Sequence, residues 1–375
     1  MNIAIYVPWI YQKGGIERVL INYCKNSKHK ITIFTNNFQK ENTFDEFREL
    51  NIVELSKVTL ERNYFDLIKM SLKIMNQKIN LDNFDKLVVF SSGFGEFITI
   101  KNNSKPIICY CCTPLKIIHD KETKNEFLKN NLIKKAVFFG FNKIYKLYEK
   151  KAWSNFEKCI AISNETKDRI IKAKLINKNK IKVITPGVNI QKASDKIKFE
   201  KYFFVPGRFI WHKNFELAIN GFKEFSKENK DFKLIIAGGL DKKNKSYFNK
   251  LKKMSENEDI RFIISPTDKQ MFKLYNNCYA VLFTAINEDF GIVPIEGMTF
   301  SKPIISVNEG GPKETIIHNK TGFLLNKNPK EFSKKMIELS NNLNLTKKIG
   351  KNAFIHSKEY DWKKIVKKLD KEISE

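Results

Sequence analysis

The sequence predicts an α/β protein of two doubly wound, Rossmann-like domains, each built on a parallel sheet. A chain of 375 residues with 42% hydrophobic side chains is long enough for two domains of ordinary size. Short apolar runs alternate with segments of helical periodicity, and glycine-containing turns follow several of the runs. We expect a first domain over residues 1–190, a linker over 191–200 and a second domain over 201–357.

The first domain is predicted from seven apolar runs with helical segments between most of them. This alternation favours a parallel sheet with helices on both faces, where ligands bind at the carboxyl ends of the strands. After the first run, Gly14 and Gly15 precede a helix, where glycines would let the backbone approach a ligand closely. A plain tight turn is the alternative. The predicted strands cover residues 2–8, 30–35, 51–55, 86–90, 106–112, 158–163 and 182–185.

The second domain repeats this alternation after a polar stretch without periodicity, which we interpret as the linker. Its predicted strands cover residues 202–206, 232–237, 261–265, 279–283, 303–307 and 321–324. Its predicted helices include residues 214–225, 330–339 and 345–357, and a last helix is expected over 361–373.

Two cations follow the first strand of the second domain. Gly207 and Arg208 come directly after the strand, and Lys213 precedes a helix. A guanidinium fork and an ammonium group on one turn suit a diphosphate. Two unrelated surface cations are the alternative.

The segment Phe283 to Gly297, FTAINEDFGIVPIEG, reads as a strand end, a polar loop and a helix start with Pro294 near its first turn. Glu288 lies in the loop and Glu296 is expected in the first helical turn. The helix N-terminus should attract an anion. In the alternative interpretation, Glu296 only complements the helix dipole and Glu288 is a solvated loop residue. The residues expected around the anion are Asp289, Phe290, Gly291, Ile292 and Val293.

This segment, continued by K-P-I-I-S-V-N-E-G-G-P-K-E-T as far as Leu325, resembles the Glu-x7-Glu signature of retaining GT-B glycosyltransferases of family 4, and most resembles their mannosyltransferase branch. The spacing of Gly207-Arg208 and Lys213 is similar to that family as well. The resemblance implies a GT-B fold, two Rossmann-like domains facing a central cleft, with the helix over 358–375 packed on the first domain. It also implies transfer of a hexose, with mannose favoured, from a nucleotide diphosphate sugar. GDP-mannose is the favoured donor, and a UDP-sugar is the alternative.

The resemblance also implies roles for individual residues. Arg208 and Lys213 would bind the donor diphosphate, so that no metal is required. Glu288 would orient the sugar and Glu296 would hold the ribose hydroxyls. Ile264 would lie near the nucleotide base, and the glycine pair Gly14 and Gly15 would contact donor or acceptor.

The sequence departs from the family at Cys112, where such enzymes carry a histidine that reaches the transferred sugar. A thiol cannot replace an imidazole as a strong hydrogen-bonding group. Either this contact is dispensable or His119, seven residues later, supplies it.

Six cysteines without the paired spacing of a zinc site favour core packing and a reducing compartment. No run approaches the length of a membrane span and the N-terminus lacks a leader pattern, so we expect a cytoplasmic protein. The formal charge of +27 indicates an anionic partner.

Residues 129–151 combine seven lysines with one acid and five aromatic side chains. We expect this segment to bind an anionic membrane surface with its aromatic side toward the lipid, which makes the protein peripheral on the cytoplasmic face. An amphipathic helix packed in the core is the alternative. No nucleic-acid-binding motif accompanies the charge, so a nucleic-acid partner is not expected.

These patterns together predict a glycosyltransferase that acts on a glycan or a lipid-linked phosphate acceptor in surface glycan or glycoprotein glycan assembly. One alternative is another GT-B enzyme, such as a glucosyl- or N-acetylglucosaminyltransferase or a nucleotide-sugar epimerase. A non-catalytic basic protein that binds membranes or nucleic acid is the other.

Overall fold

The computed structural model describes residues 1–59, 64–128, 132–191 and 197–375. These residues form two compact units, Met1–Pro186 with Trp362–Glu375, and Gly187–Asp361. The structure differs from the predicted linker, because the second unit begins at Gly187 and the Glu200 N–H donates to the Asn277 carbonyl at 2.8 Å. Residues 192–196 of the predicted linker lie outside the described residues.

The first unit is built on a seven-stranded sheet in its described part, with the order β3-β2-β1-β4-β5-β6-β7 and parallel neighbours throughout. Near-continuous apolar runs form the central strands of this sheet because both of its faces are covered. The strands are β1 Asn2–Tyr6, β2 Lys30–Thr35, β3 Ile52–Glu54, β4 Lys86–Ser91, β5 Ile107–Cys111, β6 Lys158–Ala161 and β7 Ile181–Val183.

The longer helices of this unit place apolar side chains in its core, whereas the helix Lys121–Phe127 buries none of its residues. Helix α5 places Phe138, Phe141 and Tyr145 in the core, beside side chains from helix α2. The α-helices are α1 Gly15–Asn26, α2 Tyr64–Asn76, α3 Lys116–His119, α4 Lys121–Phe127, α5 Leu132–Trp153 and α6 Asn164–Lys172. Short 3-10 helices occupy Lys40–Asn42, Asp45–Glu49, Gly95–Ile100 and Lys178–Lys180.

The last helix of the chain lies with the first unit. The Asp370 carboxylate accepts hydrogen bonds from the Ser27 hydroxyl at 2.5 Å and the Lys28 N–H at 3.0 Å. Lys158 forms an ion pair with Glu372 at 3.3 Å. These contacts attach the chain end to the turn before β2 and to the start of β6.

The second unit has a six-stranded sheet in its described part, with the order β10-β9-β8-β11-β12-β13 and again only parallel neighbours. Strands β8, β9 and β10 therefore extend the sheet in one direction. The chain then returns to pair β11 with the other side of β8, and β12 and β13 extend the sheet in the opposite direction. The strands are β8 Tyr202–Pro206, β9 Lys233–Gly238, β10 Ile260–Ile264, β11 Ala280–Phe283, β12 Ile304–Val307 and β13 Gly322–Leu325.

Helices cover both faces of this sheet as well, with separate cores on the two sides. The α-helices are α7 Phe215–Ser226, α8 Lys245–Met254, α9 Asp268–Asn277, α10 Ile292–Thr299, α11 Pro312–Thr315, α12 Pro329–Asn341 and α13 Leu343–Ser357, and α14 in the first unit is Trp362–Ser374. Short 3-10 helices occupy Trp211–Lys213, Lys242–Asn244 and Lys358–Tyr360. The prediction of an α/β chain with two doubly wound parallel sheets is confirmed. None of the helices in the described parts of the chain has the length and apolar character that crossing a bilayer requires.

Candidate functional site

The strand order of the second unit creates a switch point between β8 and β11. Connections leave these two neighbouring strands in opposite directions, so a crevice opens at their carboxyl ends, where open α/β sheets bind ligands. The loop after β8 contains Gly207, Arg208 and Lys213, and the loop after β11 contains Glu288. The fold therefore brings the two predicted site segments to one place.

Two hydrogen bonds join the loops after β8 and β11. The Ile286 N–H donates to the His212 carbonyl at 2.8 Å, and the Thr284 hydroxyl donates to the Lys213 carbonyl at 2.9 Å. The positions of the cation and of the acidic loop therefore depend on each other.

Lys213 and Glu288 are in direct contact. The Lys213 Nζ lies 2.6 Å from the Glu288 Oε2, and both side chains are about four-fifths buried, with 17% and 24% exposure. The same ammonium group lies 5.5 Å from the centroid of the Phe283 ring. Sequence reasoning gave these residues separate roles, on diphosphate and on sugar, and did not anticipate the pair.

The loop after β12 forms hydrogen bonds with the loop that contains Glu288. The Gly311 N–H donates to the Glu288 carbonyl at 2.8 Å, and the Glu309 carboxylate accepts from the Asn287 N–H at 3.1 Å. Lys327 pairs with that carboxylate at 2.9 Å. A Cβ on Gly311 would lie 2.3 Å from the Phe290 Cα, so only glycine allows this approach.

Helix α10 starts at this loop with Gly291 as its N-cap, in the left-handed region at φ 81°. Since an L-residue rarely adopts this conformation, glycine permits the sharp entry into the helix. The N–H groups of Ile292 and Val293 belong to the first turn, which has no intrahelical acceptors for them. Phe290, directly before the N-cap, is buried.

Glu296 corrects the prediction of a first-turn acid. It is the fifth residue of α10, which begins at Ile292, and Pro294 lies in the first turn as predicted. The Tyr275 hydroxyl on α9 donates to the Glu296 Oε2 at 2.9 Å. The carboxylate is therefore held by a tertiary contact that the sequence pattern does not reveal.

The remaining predicted donor-side residues lie along the same sheet edge. The Gly207 N–H donates to the Ala237 carbonyl at 2.9 Å, and Arg208 follows it as an exposed side chain. Ile264 ends β10, two strands from β8, with 48% of its surface exposed. Asp289 lies in the loop between Glu288 and the start of α10.

The residues predicted to contact ligand in the first unit lie at the start of α1 and at the end of β5. Gly14 is the N-cap of α1, and a Cβ there would lie 2.6 Å from the carboxylate of Glu17, a buried acid that sequence reasoning overlooked. Gly15 is the first residue of the helix, with open space around it. Cys112 is buried just beyond β5.

His119 ends helix α3 and does not lie alone. Its Nε2 is 2.9 Å from both carboxylate oxygens of Glu149 on α5. The catalytic role of His119 stays a prediction, and this pairing shows that the imidazole already has a carboxylate partner.

Comparisons with known proteins identify the class. Residues 188–356 match the sequence model of the glycosyl transferases group 1 family. Mouse alpha-1,3/1,6-mannosyltransferase ALG2 is 35% identical over 176 residues, which cover 41% of this chain and 42% of that relative. The uncharacterized glycosyltransferase MJ1178 of Methanocaldococcus jannaschii is 26% identical over 377 positions, which cover 99% of this chain and 97% of the relative.

Solved structures share the whole architecture. Anabaena HepE, solved in complex with UDP and glucose, superimposes with a TM-score of 0.74 at 17% identity and covers 100% of this chain and 99% of HepE. WaaG, a glycosyltransferase involved in lipopolysaccharide biosynthesis, gives a TM-score of 0.71 at 14% identity over 99% of both chains. The fold is therefore that of the GT-B glycosyltransferases. Residues 188–356, which make up the greater part of the second unit, are therefore similar to the glycosyl transferases group 1 family. The matched segment spans less than half of the ALG2 relative.

Proposed function

We propose that this chain is a retaining glycosyltransferase that moves a hexose, with mannose favoured, from a nucleotide diphosphate sugar to a glycan or lipid-linked phosphate acceptor. The carrying observation is the convergence of Lys213, Glu288 and the N-terminus of α10 at the switch point of the second unit. The test is sugar transfer or donor hydrolysis by the purified chain. Loss of that activity in Lys213→Ala or Glu288→Ala would exclude the non-catalytic alternative.

The leaving diphosphate accounts for the cations of the site. As the glycosidic bond breaks, negative charge grows on the β-phosphate, and preorganised cations and N–H dipoles stabilise such charge without reorganisation. Arg208, Lys213 and the first N–H groups of α10 perform this role. Because these groups supply positive charge themselves, transfer needs no metal, and full activity in excess EDTA is the expected result.

Donor binding exchanges the partners of Lys213 and Glu288. A diphosphate oxygen replaces the carboxylate as the partner of Lys213, and Glu288 then turns to a hydroxyl of the sugar. Glu288 also supports the positive charge that develops at the anomeric carbon. Glu296, held by Tyr275, accepts hydrogen bonds from the ribose hydroxyls.

Retention follows from same-face attack by the acceptor hydroxyl, with the leaving phosphate as base. A double displacement requires a nucleophile on the opposite face of the sugar, and none of the residues proposed above takes that role. The proton NMR coupling of the new anomeric centre tests this point. An inverted product would exclude the scheme.

The similarity to ALG2, which is named as an alpha-1,3/1,6-mannosyltransferase, makes GDP-mannose the favoured donor. HepE binds UDP and glucose, which keeps a UDP-sugar as the specific alternative. Thermal-shift titration with GDP-mannose, UDP-glucose and UDP-N-acetylglucosamine discriminates them. A midpoint raised only by a UDP-sugar would overturn the GDP-mannose assignment.

Helix α5 supports the proposed membrane contact. Its exposed face combines Phe139, Ile144 and Leu147 with several lysines, and such exposed apolar groups mark interaction surfaces. The expectation of an aromatic lipid-facing side is corrected, because three of the five aromatic side chains predicted for this segment pack in the core: Phe138, Phe141 and Tyr145. Residues 129–131 of the segment lie outside the described residues.

We place the protein at the cytoplasmic face of a membrane, where nucleotide sugars and lipid-linked acceptors meet. Sedimentation with vesicles containing phosphatidylserine tests the contact. Binding should fall in the variant Ile144→Ser/Leu147→Ser, and equal binding of the two proteins would exclude α5 as the contact surface.

A further inference from the structure

A cavity of about 390 Å³ opens in the first unit between helices α3, α5 and α6. Four lysines line it, two from α5 and two from the end of α6: Lys146, Lys150, Lys172 and Lys174. His119 and Glu149 form part of its wall, and the remaining lining is apolar or alanine. Neither the proposed transfer nor the family match uses the four lysines.

The four lysines give the cavity a strong positive potential. Within the described parts of the chain, none of their ammonium groups has a carboxylate within 4.0 Å. The one acid of the lining, Glu149, is 1% exposed and lies 2.9 Å from His119. Its charge is therefore directed at the imidazole, and the lysines are left to attract an external anion.

Lys174 occupies a strained position at the end of α6. Its φ is 55°, in the left-handed region that favours glycine. The Lys174 N–H donates to the Ile171 carbonyl at 3.0 Å, and the Leu175 N–H donates to the Ile170 carbonyl at 3.3 Å. These two bonds define a Schellman motif, in which glycine is the usual residue. A lysine that lines the cavity therefore replaces the residue that would fold there with less strain.

The exposed apolar face of α5 lies beside the cavity. Leu147 is 70% exposed and stands between Lys146 and Lys150 in the sequence, and Ile144 is 60% exposed one turn earlier. An anion in the cavity would thus have apolar side chains next to it. Phosphate joined to hydrocarbon is the chemistry of an anionic lipid, whose headgroup meets lysines while its chains meet apolar residues.

We propose that this lysine cavity binds the phosphate monoester headgroup of a membrane lipid. The proposal rests on the membrane contact of α5 proposed above, and it adds a selective site to a general surface attraction. Phosphate monoesters carry up to two charges and three acceptor oxygens, which suits four ammonium donors better than the single diester charge of ordinary phospholipids.

The experiment is vesicle sedimentation of the full chain with two anionic lipids in phosphatidylcholine. One set contains phosphatidic acid and the other phosphatidylserine, matched for zeta potential. The expected result is binding to phosphatidic acid roughly fivefold tighter, the gain from about one additional lysine contact with the more highly charged headgroup. Lys146→Ala/Lys150→Ala should lose this preference.

A matched control changes the same charge on the same helix. Lys143→Ala/Lys151→Ala removes two exposed lysines that do not line the cavity. It should weaken binding to both lipids equally and keep the preference. Loss of the preference in this control would overturn the site.

Lys174→Gly separates lost binding from lost folding. It should raise the thermal unfolding midpoint, because glycine relieves the left-handed strain, and should reduce the phosphatidic acid preference severalfold. An unchanged preference would overturn the proposal.

Three further outcomes distinguish the sources of the anion. Equal binding of the wild type to both lipids would overturn the site and leave the α5 contact intact. No binding to either lipid would overturn both. If inorganic pyrophosphate binds in the cavity and the protein shows no preference between the two lipids, the cavity is a site for a soluble anion. That result would overturn the proposal.

Discussion

Replacing Lys213 with methionine tests the core of the proposed mechanism. The change removes the ammonium group that lies 2.6 Å from Glu288 and 5.5 Å from the centroid of the Phe283 ring, and it keeps an unbranched side chain of similar length. A group that stabilises developing transition-state charge is worth about 100-fold to 1,000-fold in kcat. The pair is largely buried, so removing the ammonium group leaves the Glu288 carboxylate without this cation, and the free energy of unfolding should fall by about 1 to 3 kcal/mol. Activity and stability should therefore separate sharply.

Lys201→Met is the matched control. Lys201 pairs with Asp231 at 2.9 Å on the same unit, with both side chains more than three-fifths exposed. Initial rates at saturating donor, measured by chromatography of the sugar product, and thermal unfolding of both variants complete the comparison. The mechanism is refuted if Lys213→Met keeps more than a third of the wild-type kcat, or if its loss of activity follows only from unfolding.

Three further changes test other parts of the structure. Tyr275→Phe removes the hydrogen bond to Glu296. Loss of such a bond costs about 1 kcal/mol, so the KM for the donor should rise about fivefold while kcat stays nearly unchanged. Steady-state kinetics measures both constants. Gly311→Ala should destabilise the chain by about 1 to 3 kcal/mol through the backbone clash, whereas Gly15→Ala, with open space around it, should not; urea unfolding compares them. Burial raises the pKa of the Glu96 carboxyl from 4.5 to about 7. The folded chain therefore holds this proton, and the free energy of unfolding should fall by about 3 kcal/mol between pH 4.5 and 8, a fall that Glu96→Gln removes.

The sequence predicted the fold well because its signals are local. Strand β2 and strand β8 match their predicted bounds to the residue, and the other strands differ only at their ends. Apolar runs of strand length, separated by helical periodicity, leave few alternatives to a parallel sheet. Strand ends are less certain, since the last residues depend on pairing with a neighbouring strand rather than on residue type.

The site was predicted only in part, because its geometry depends on contacts between distant segments. The sequence marked Lys213 and Glu288 but not their ion pair, since loops 75 residues apart along the chain meet only through the switch point. The hydrogen bond from Tyr275 to Glu296 left no sequence pattern. Glu296 was predicted in the first turn of α10 but is its fifth residue, because the helix begins at Ile292, directly after the N-cap Gly291.

Hydrogen bonds among three loops of the second unit order the candidate site before any ligand binds. Backbone hydrogen bonds tie the loop after β11 to His212 on one side and to Gly311 on the other. The charges are therefore fixed in place by the fold, and binding does not have to order them, which lowers the entropic cost of recognition. In the proposed mechanism the same pair limits affinity, because a diphosphate would have to displace Glu288 from Lys213 before it contacts that ammonium group. We infer that the ion pair favours ligands which return a hydrogen bond to Glu288, so a nucleoside diphosphate without its sugar should bind more weakly than the intact donor. Calorimetric titration with both ligands measures that difference, and equal affinities would show that the pair does not discriminate.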